Sequence, residues 1–181
     1  MAARAWCAEA MSAAGEQAEY KRQAAEQAAG EVRDGMVVGL GTGSTAAFAI
    51  AALGAAVAGG LRIRAIPTSL AAAALARRHG IPLTDFAADP RIDLTIDGAD
   101  QVVPGRLDLI KGLGGALLRE KLVATASDRM IVVADDRKLV ARLGGATKLP
   151  VEITAFGWQV AMAQLAASGC APALRMAGEL P

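Results

Sequence analysis

"MVVGLGTGSTAAFAIAALGAAVAG", Met36 to Gly59, decides the fold. A short apolar run closes on glycines, and a hydroxyl pair suited to a helix N-cap then opens an apolar, alanine-rich segment. The pattern predicts strand, tight turn and helix. It recurs downstream: "RIRAIP" precedes "TSLAAAALARRHG", "IPLTDF" reads as a short strand, "IDLTI" leads through a glycine loop to "ALLREKLVATAS", and "MIVVAD" precedes "DRKLVARLG". Upstream, "EQAEYKRQAAEQAAGEVR" (residues 16–33) consists of helix formers and ends at the Asp34-Gly35 break. Alternation of this kind predicts an α/β fold, a Rossmann-like parallel sheet with helices on both faces.

After Pro150 the rhythm changes. "PVEITAF" reads as a strand, "GWQVAMAQLAASG" as an amphipathic helix and "PALRM" as another strand. The expected organisation is an N-terminal extension over residues 1–15, a main α/β domain over 16–148 that carries the candidate chemistry, and a small, incomplete α+β (antiparallel) domain over 149–181. One helix and two strands make no self-sufficient sheet. The extension has no charged segment followed by an apolar core, and Glu9, Glu16 and Glu19 argue against a transit peptide.

Composition narrows the function by exclusion. The hydrophobic fraction of 54% is inflated by alanine. Apolar runs are broken by Gly, Pro or charge before the ~18 residues a membrane helix needs. A net charge of +1 and an aromatic content of 3% supply neither the basic footprint nor the stacking platforms of a nucleic-acid binder. Cys7 and Cys170 belong to no CxxC or Cys/His cluster, so a reducing, cytoplasmic setting is the expectation. His79, the only histidine, follows Arg77 and Arg78 at an expected helix C-terminus and reads as a surface residue. A Ser-His-Asp triad or a histidine metal centre would need it elsewhere.

Two loops carry the candidate chemistry. "GLGTGST", Gly39 to Thr45, joins strand to helix, where backbone N–H groups and the helix dipole can cradle a phosphate. Ser44 stands where a dinucleotide fingerprint needs its third glycine, and no Lys follows Gly43 as a P-loop requires. Nucleotides are therefore disfavoured. The glycines could serve only a tight turn, but Thr42, Ser44 and Thr45 favour a small anionic group. "PTSL" (residues 67–70) adds hydroxyls at the next strand end, on the rim where parallel sheets bind ligands.

The second loop system is "IDLTIDGADQVVPGRLDLIKGLGGALLREK", Ile92 to Lys121. Asp97 and Asp100 flank Gly98 and Ala99 at a strand end. Lys111 precedes the flexible amides of Gly112, Leu113 and Gly114, and Glu120 follows on a helix. Taken singly, these are a turn and ordinary surface charges. Together, a base, a cation, N–H donors and two further carboxylates can move a proton beside a carbonyl and hold enediolate charge.

"GTGST", "DGAD", "KGLGGALLREK" and "PVEI", in this order and spacing, resemble the type A ribose-5-phosphate isomerases, from about Ala18 to the end of the chain. The resemblance implies an aldose–ketose isomerase interconverting ribose 5-phosphate and ribulose 5-phosphate. It implies Glu120 as the base, with Asp97, Asp100 and Lys111 assisting ring opening and stabilising charge on O1 and O2. Lys21, Thr42, Gly43, Ser44, Thr45 and Lys138 are implied as phosphate and substrate contacts, alongside Gly98, Ala99, Gly112, Leu113 and Gly114. No metal or other cofactor is implied. The implied partner is a small sugar phosphate, with no nucleic acid and no membrane, and the implied assembly is a homodimer or homotetramer where the small domain is complete. The family usually has glycine where Leu113 stands and often a hydroxyl where Leu118 stands, and its members carry further strands beyond the position of Pro181. The rival expectations are a non-catalytic phosphosugar-sensing domain and a truncated, inactive isomerase.

Overall fold

The computed structural model describes residues 13–145 and 147–175. The expected N-terminal extension lies outside them, apart from its last three residues, as do Cys7 and the final residues from Met176. The chain divides into two compact units, one ending at Pro150 and one beginning at Val151.

In the first unit, helix α1 (Ala13–Ala29) precedes strand β1 (Val37–Leu40), helix α2 (Ser44–Ala58), strand β2 (Arg64–Pro67), helix α3 (Leu70–Arg78) and strand β3 (Ile92–Gly98). Strands β4 (Gln101–Val103) and β5 (Asp108–Ile110), helix α4 (Leu117–Thr125) and strand β6 (Ser127–Val133) follow. Four strands form one parallel sheet in the order β2-β1-β3-β6. In register, Val38 lies between Ala65 and Leu94, and Ile96 between Leu40 and Ile131. The chain leaves β1 on one side to make β2 and returns on the other to make β3, so the topological switch falls between β1 and β3. Ligands of such sheets bind outside the carboxyl ends at that crevice.

Helix α2 shows why the sequence folds this way. Ala46, Ala49, Ile50, Leu53 and Gly54 recur at helical spacing and form its buried face. Of these, Ala49, Ile50 and Leu53 pack with Ala25 and Ala28 of α1, Ala72 and Ala76 of α3, and Val38, Leu40, Leu94 and Ile96 of the sheet. A smaller cluster of Val37, Ile66, Ile92 and Val123 seats α4 on the opposite face. Each fully buried Leu or Ile contributes about 1.5–3 kcal/mol relative to exposure, so the larger cluster carries the fold. No described helix is long and apolar enough to cross a membrane.

Several local expectations need correction. The first helix stops at Ala29 because Gly30 opens a turn, so residues 30–33 are not helical. "IPLTDF" makes a single parallel bridge, Leu83 to Ala65, instead of a strand. "DRKLVARLG" forms only a 3-10 turn, Asp136–Lys138, capped by the Asp135 side chain. Gly144 and Gly145 close the segment before it reaches the length at which a helix sustains itself. The antiparallel hairpin of β4 and β5 was not anticipated. In the second unit, helix α5 (Trp158–Ala167) is present, but neither "PVEITAF" nor the described part of "PALRM" is a strand. Neither is paired into a sheet among the described residues, and an extended segment without a neighbouring strand does not hold itself.

Candidate active site

The described residues bury six polar or charged side chains, and three of these are carboxylates: Asp97, Glu120 and Asp135. All three stand near the carboxyl ends of the sheet strands. Burying a carboxylate is costly unless it is paired, so the cations around each one matter.

Asp97, the penultimate residue of β3, is 0% exposed. Its Oδ1 accepts from the N–H groups of Thr42 at 3.1 Å and Gly98 at 2.7 Å. The Lys111 ammonium lies 2.9 Å from its Oδ2. The same ammonium donates to the Gly98 carbonyl at 2.5 Å and lies 3.5 Å from Oε2 of Glu120. Beyond this ion pairing, Asp97 Oδ2 and Glu120 Oε2 are buried without a hydrogen-bond partner among the described residues. Lys111 is thus the shared counter-charge of two buried carboxylates.

The hairpin brings these groups together. Gln101 pairs with Ile110 in its register, and the Asp100 N–H donates to the Ile110 carbonyl at 2.8 Å, which puts Asp100 opposite Lys111. Asp100 Oδ2 accepts from the Leu113 N–H at 2.9 Å and so ties down the glycine loop. Leu113 lies outside the positive-φ region, which Gly112 and Gly115 occupy in that loop. Its side chain turns outward, 41% exposed.

Glu120 sits in the first turn of α4 and is 4% exposed. Burial raises its pKa above the ordinary value; the Lys111 charge opposes this, and the nearby Asp97 charge reinforces it. A carboxylate poised in this way is more basic than a free glutamate.

The glycine-rich loop works differently from expectation. Gly43 (φ 108°) is the N-cap of α2, and no side chain caps the helix. The Ser44 hydroxyl instead accepts from the Lys21 ammonium at 2.9 Å. Gly41 is required by packing: a Cβ there would lie 2.2 Å from Asp97 Oδ1. Thr68 and Ser69 do not reach the cavity. Their hydroxyls lie 2.7 and 2.8 Å from Thr42 Oγ1, and Ser69 also caps α3.

A cavity of about 170 Å³ joins these parts. Of the residues named from the sequence, Lys21, Thr42–Thr45, Gly98, Ala99, Asp100, Lys111, Gly112, Gly114, Glu120 and Lys138 line it. Asp97 and Leu113 do not; Asp97 lies beneath Lys111. The sequence reading missed Arg137, which also lines the cavity, and Asp135 beside it. Their signal was positional, since "DDRK" follows directly on a strand that ends at the ligand rim. A second cavity of about 350 Å³ adjoins the first through Asp100, Arg137 and Lys138. Among the described residues, no three His, Cys, Asp or Glu side chains are grouped to hold a metal ion.

Comparison with known proteins gives a consistent result. Residues 64–180 match the family "Ribose 5-phosphate isomerase A (phosphoriboisomerase A)". The chain is 57% identical over 150 residues to ribose-5-phosphate isomerase A of Gluconobacter oxydans, covering 83% of this chain and 65% of that protein. It therefore spans about two thirds of the length of that curated relative. A ribose 5-phosphate isomerase from Plasmodium falciparum superimposes with a TM-score of 0.83 at 37% identity, over 90% of this chain and 72% of that one. A D-ribose-5-phosphate isomerase in complex with phospho-erythronic acid gives 0.82 at 39% identity, over 87% and 69%.

Proposed function

The chain belongs to the ribose 5-phosphate isomerase A family, and from that premise we propose that it interconverts D-ribose 5-phosphate and D-ribulose 5-phosphate through a cis-enediolate. The observation that carries the reading is one ammonium, Lys111, shared by Glu120 and Asp97 at the wall of a small cavity. The relative that binds phospho-erythronic acid adds support, because that ligand joins a phosphate to a planar, charged carboxylate.

In this mechanism Asp100 assists ring opening at the cavity wall. Ionised Glu120 takes the proton from C2, and electrons move onto O1. Lys111 and the N–H groups of Gly112 and Gly114 stabilise that charge; the Leu113 N–H is already committed to Asp100. The proton on O2 passes to O1, Glu120 returns its proton to C1, and the ketose results with atoms and charge balanced. Asp97 acts through Lys111, holding the ammonium 2.9 Å away. The phosphate sits against Thr42–Thr45 at the start of α2, with Lys21 and Lys138 beside it.

The reading extends to a metal-independent reaction, a catalytic domain over residues 16–148 with part of a small α+β domain over 149–181, a homodimer or homotetramer and a cytoplasmic setting. Turnover of ribose 5-phosphate in excess chelator tests the reaction, and its absence would sink the metal-free mechanism. Light scattering of the purified chain tests the assembly.

A further inference from the structure

The mechanism above leaves one buried carboxylate unused. Asp135, just past β6, is 3% exposed. Its Oδ1 accepts from the backbone N–H of Arg137 at 3.2 Å and from Arg137 Nε at 3.1 Å. Its Oδ2 accepts from Gln17 Nε2 at 3.2 Å and lies 3.9 Å from Lys21 Nζ. Lys21 in turn donates to Ser44. One carboxylate therefore links α1, the start of α2 and the turn after β6.

We propose that Asp135 is a positioning residue that holds Lys21 and Arg137 as a pair of cations at the phosphate end of the cavity, with Arg137 contacting the phosphate directly. The inference rests on the sugar-phosphate reading of that cavity. Both cations and Ser44 line the same space. Asp135 engages Arg137 through Nε, and the two amino groups of the guanidinium have no other partner among the described residues. That edge is the planar fork suited to phosphate oxygens.

Capping the 3-10 turn explains only part of Asp135, because a cap needs an acceptor and no charge. Burial pushes its pKa up, yet the Arg137 hydrogen bond and charge, with Lys21 behind them, bring it below the ordinary value. The group is ionised at neutral pH, and its one negative charge against two cations leaves the pair net positive.

Asp135→Asn separates cap from charge, since Asn still accepts from the Arg137 N–H. Titration calorimetry with inorganic phosphate, beside steady-state kinetics with ribose 5-phosphate, reads the effect. Asp135→Asn and Arg137→Ala should each weaken phosphate binding about tenfold and raise KM by more than they lower kcat, and Arg137→Lys should recover part of the loss. Phosphate affinity unchanged in both variants, or kcat lost at constant KM, overturns the inference. Should Asp135→Asn fail to fold, Arg137→Ala decides alone, its side chain being 61% exposed. Wild-type protein that binds phosphate but never converts ribose 5-phosphate overturns the isomerase reading instead, and the phosphate titration still decides the role of Asp135.

Discussion

Glu120 combines burial, a neighbouring cation and a neighbouring anion in one side chain, and the sign of its shift sets two predictions. Its folded pKa is raised above the ordinary 4.5, first by burial. Between the ordinary and the raised value the folded chain holds a proton that the unfolded chain has lost, so the stability Glu120 contributes falls as pH rises through that window. The same group must be ionised to act as base. The acid limb of kcat/KM should therefore lie above 4.5, and a limb at or below that value would remove Glu120 as the base. Glu120→Gln removes the titration. Turnover should fall at least ~100-fold, while the melting temperature near pH 7 should not fall, because a neutral amide escapes the cost of ionisation. Lys111→Met acts in the opposite sense. It strips the counter-charge from Asp97 and Glu120 and should cost about 3–5 kcal/mol in urea unfolding, with Asp97→Asn in the same chain restoring part of it.

At the scale of elements, the crossing of β1, α2 and β3 places the site, and a glycine pins it. Gly41 lets β1 pass so close to Asp97 that an added Cβ would sit 2.5 Å from the Asp97 Cα. Gly41→Ala should lower stability by about 1–3 kcal/mol and lower activity with it, seen as a matched drop in melting temperature and turnover. These β–α units were legible in the sequence because the strands carry compact apolar runs and helices α2 and α3 present apolar faces. The hairpin was not. Its strands, "QVV" and "DLI", are too short to display a period of two, and their turn carries Leu107 at φ 58° beside Gly105 at φ 80°. Yet this hairpin sets Asp100 against Lys111, so the two were predicted as site residues without the element that joins them. Asp135 and Arg137 escaped for a related reason. Their significance comes from Lys21 and Gln17, more than a hundred residues away in sequence, and no local pattern encodes that meeting.

Across the molecule, every proposed site residue belongs to the unit that ends at Pro150. Ribose 5-phosphate should therefore stabilise that unit: at 100 times Kd, linkage gives about 2.7 kcal/mol, a shift of several degrees in melting temperature. Ribose without its phosphate should give much less at equal concentration, since Lys21 and the start of α2 would find no anion. Equal shifts would move the phosphate out of the cavity. The most direct test is the rate at which this chain converts ribose 5-phosphate to ribulose 5-phosphate, measured side by side with Glu120→Gln at matched melting temperature. Wild-type turnover that collapses in the variant is the result predicted. Turnover that survives the substitution, or a folded, phosphate-binding wild-type chain with none, would contradict proton transfer by Glu120.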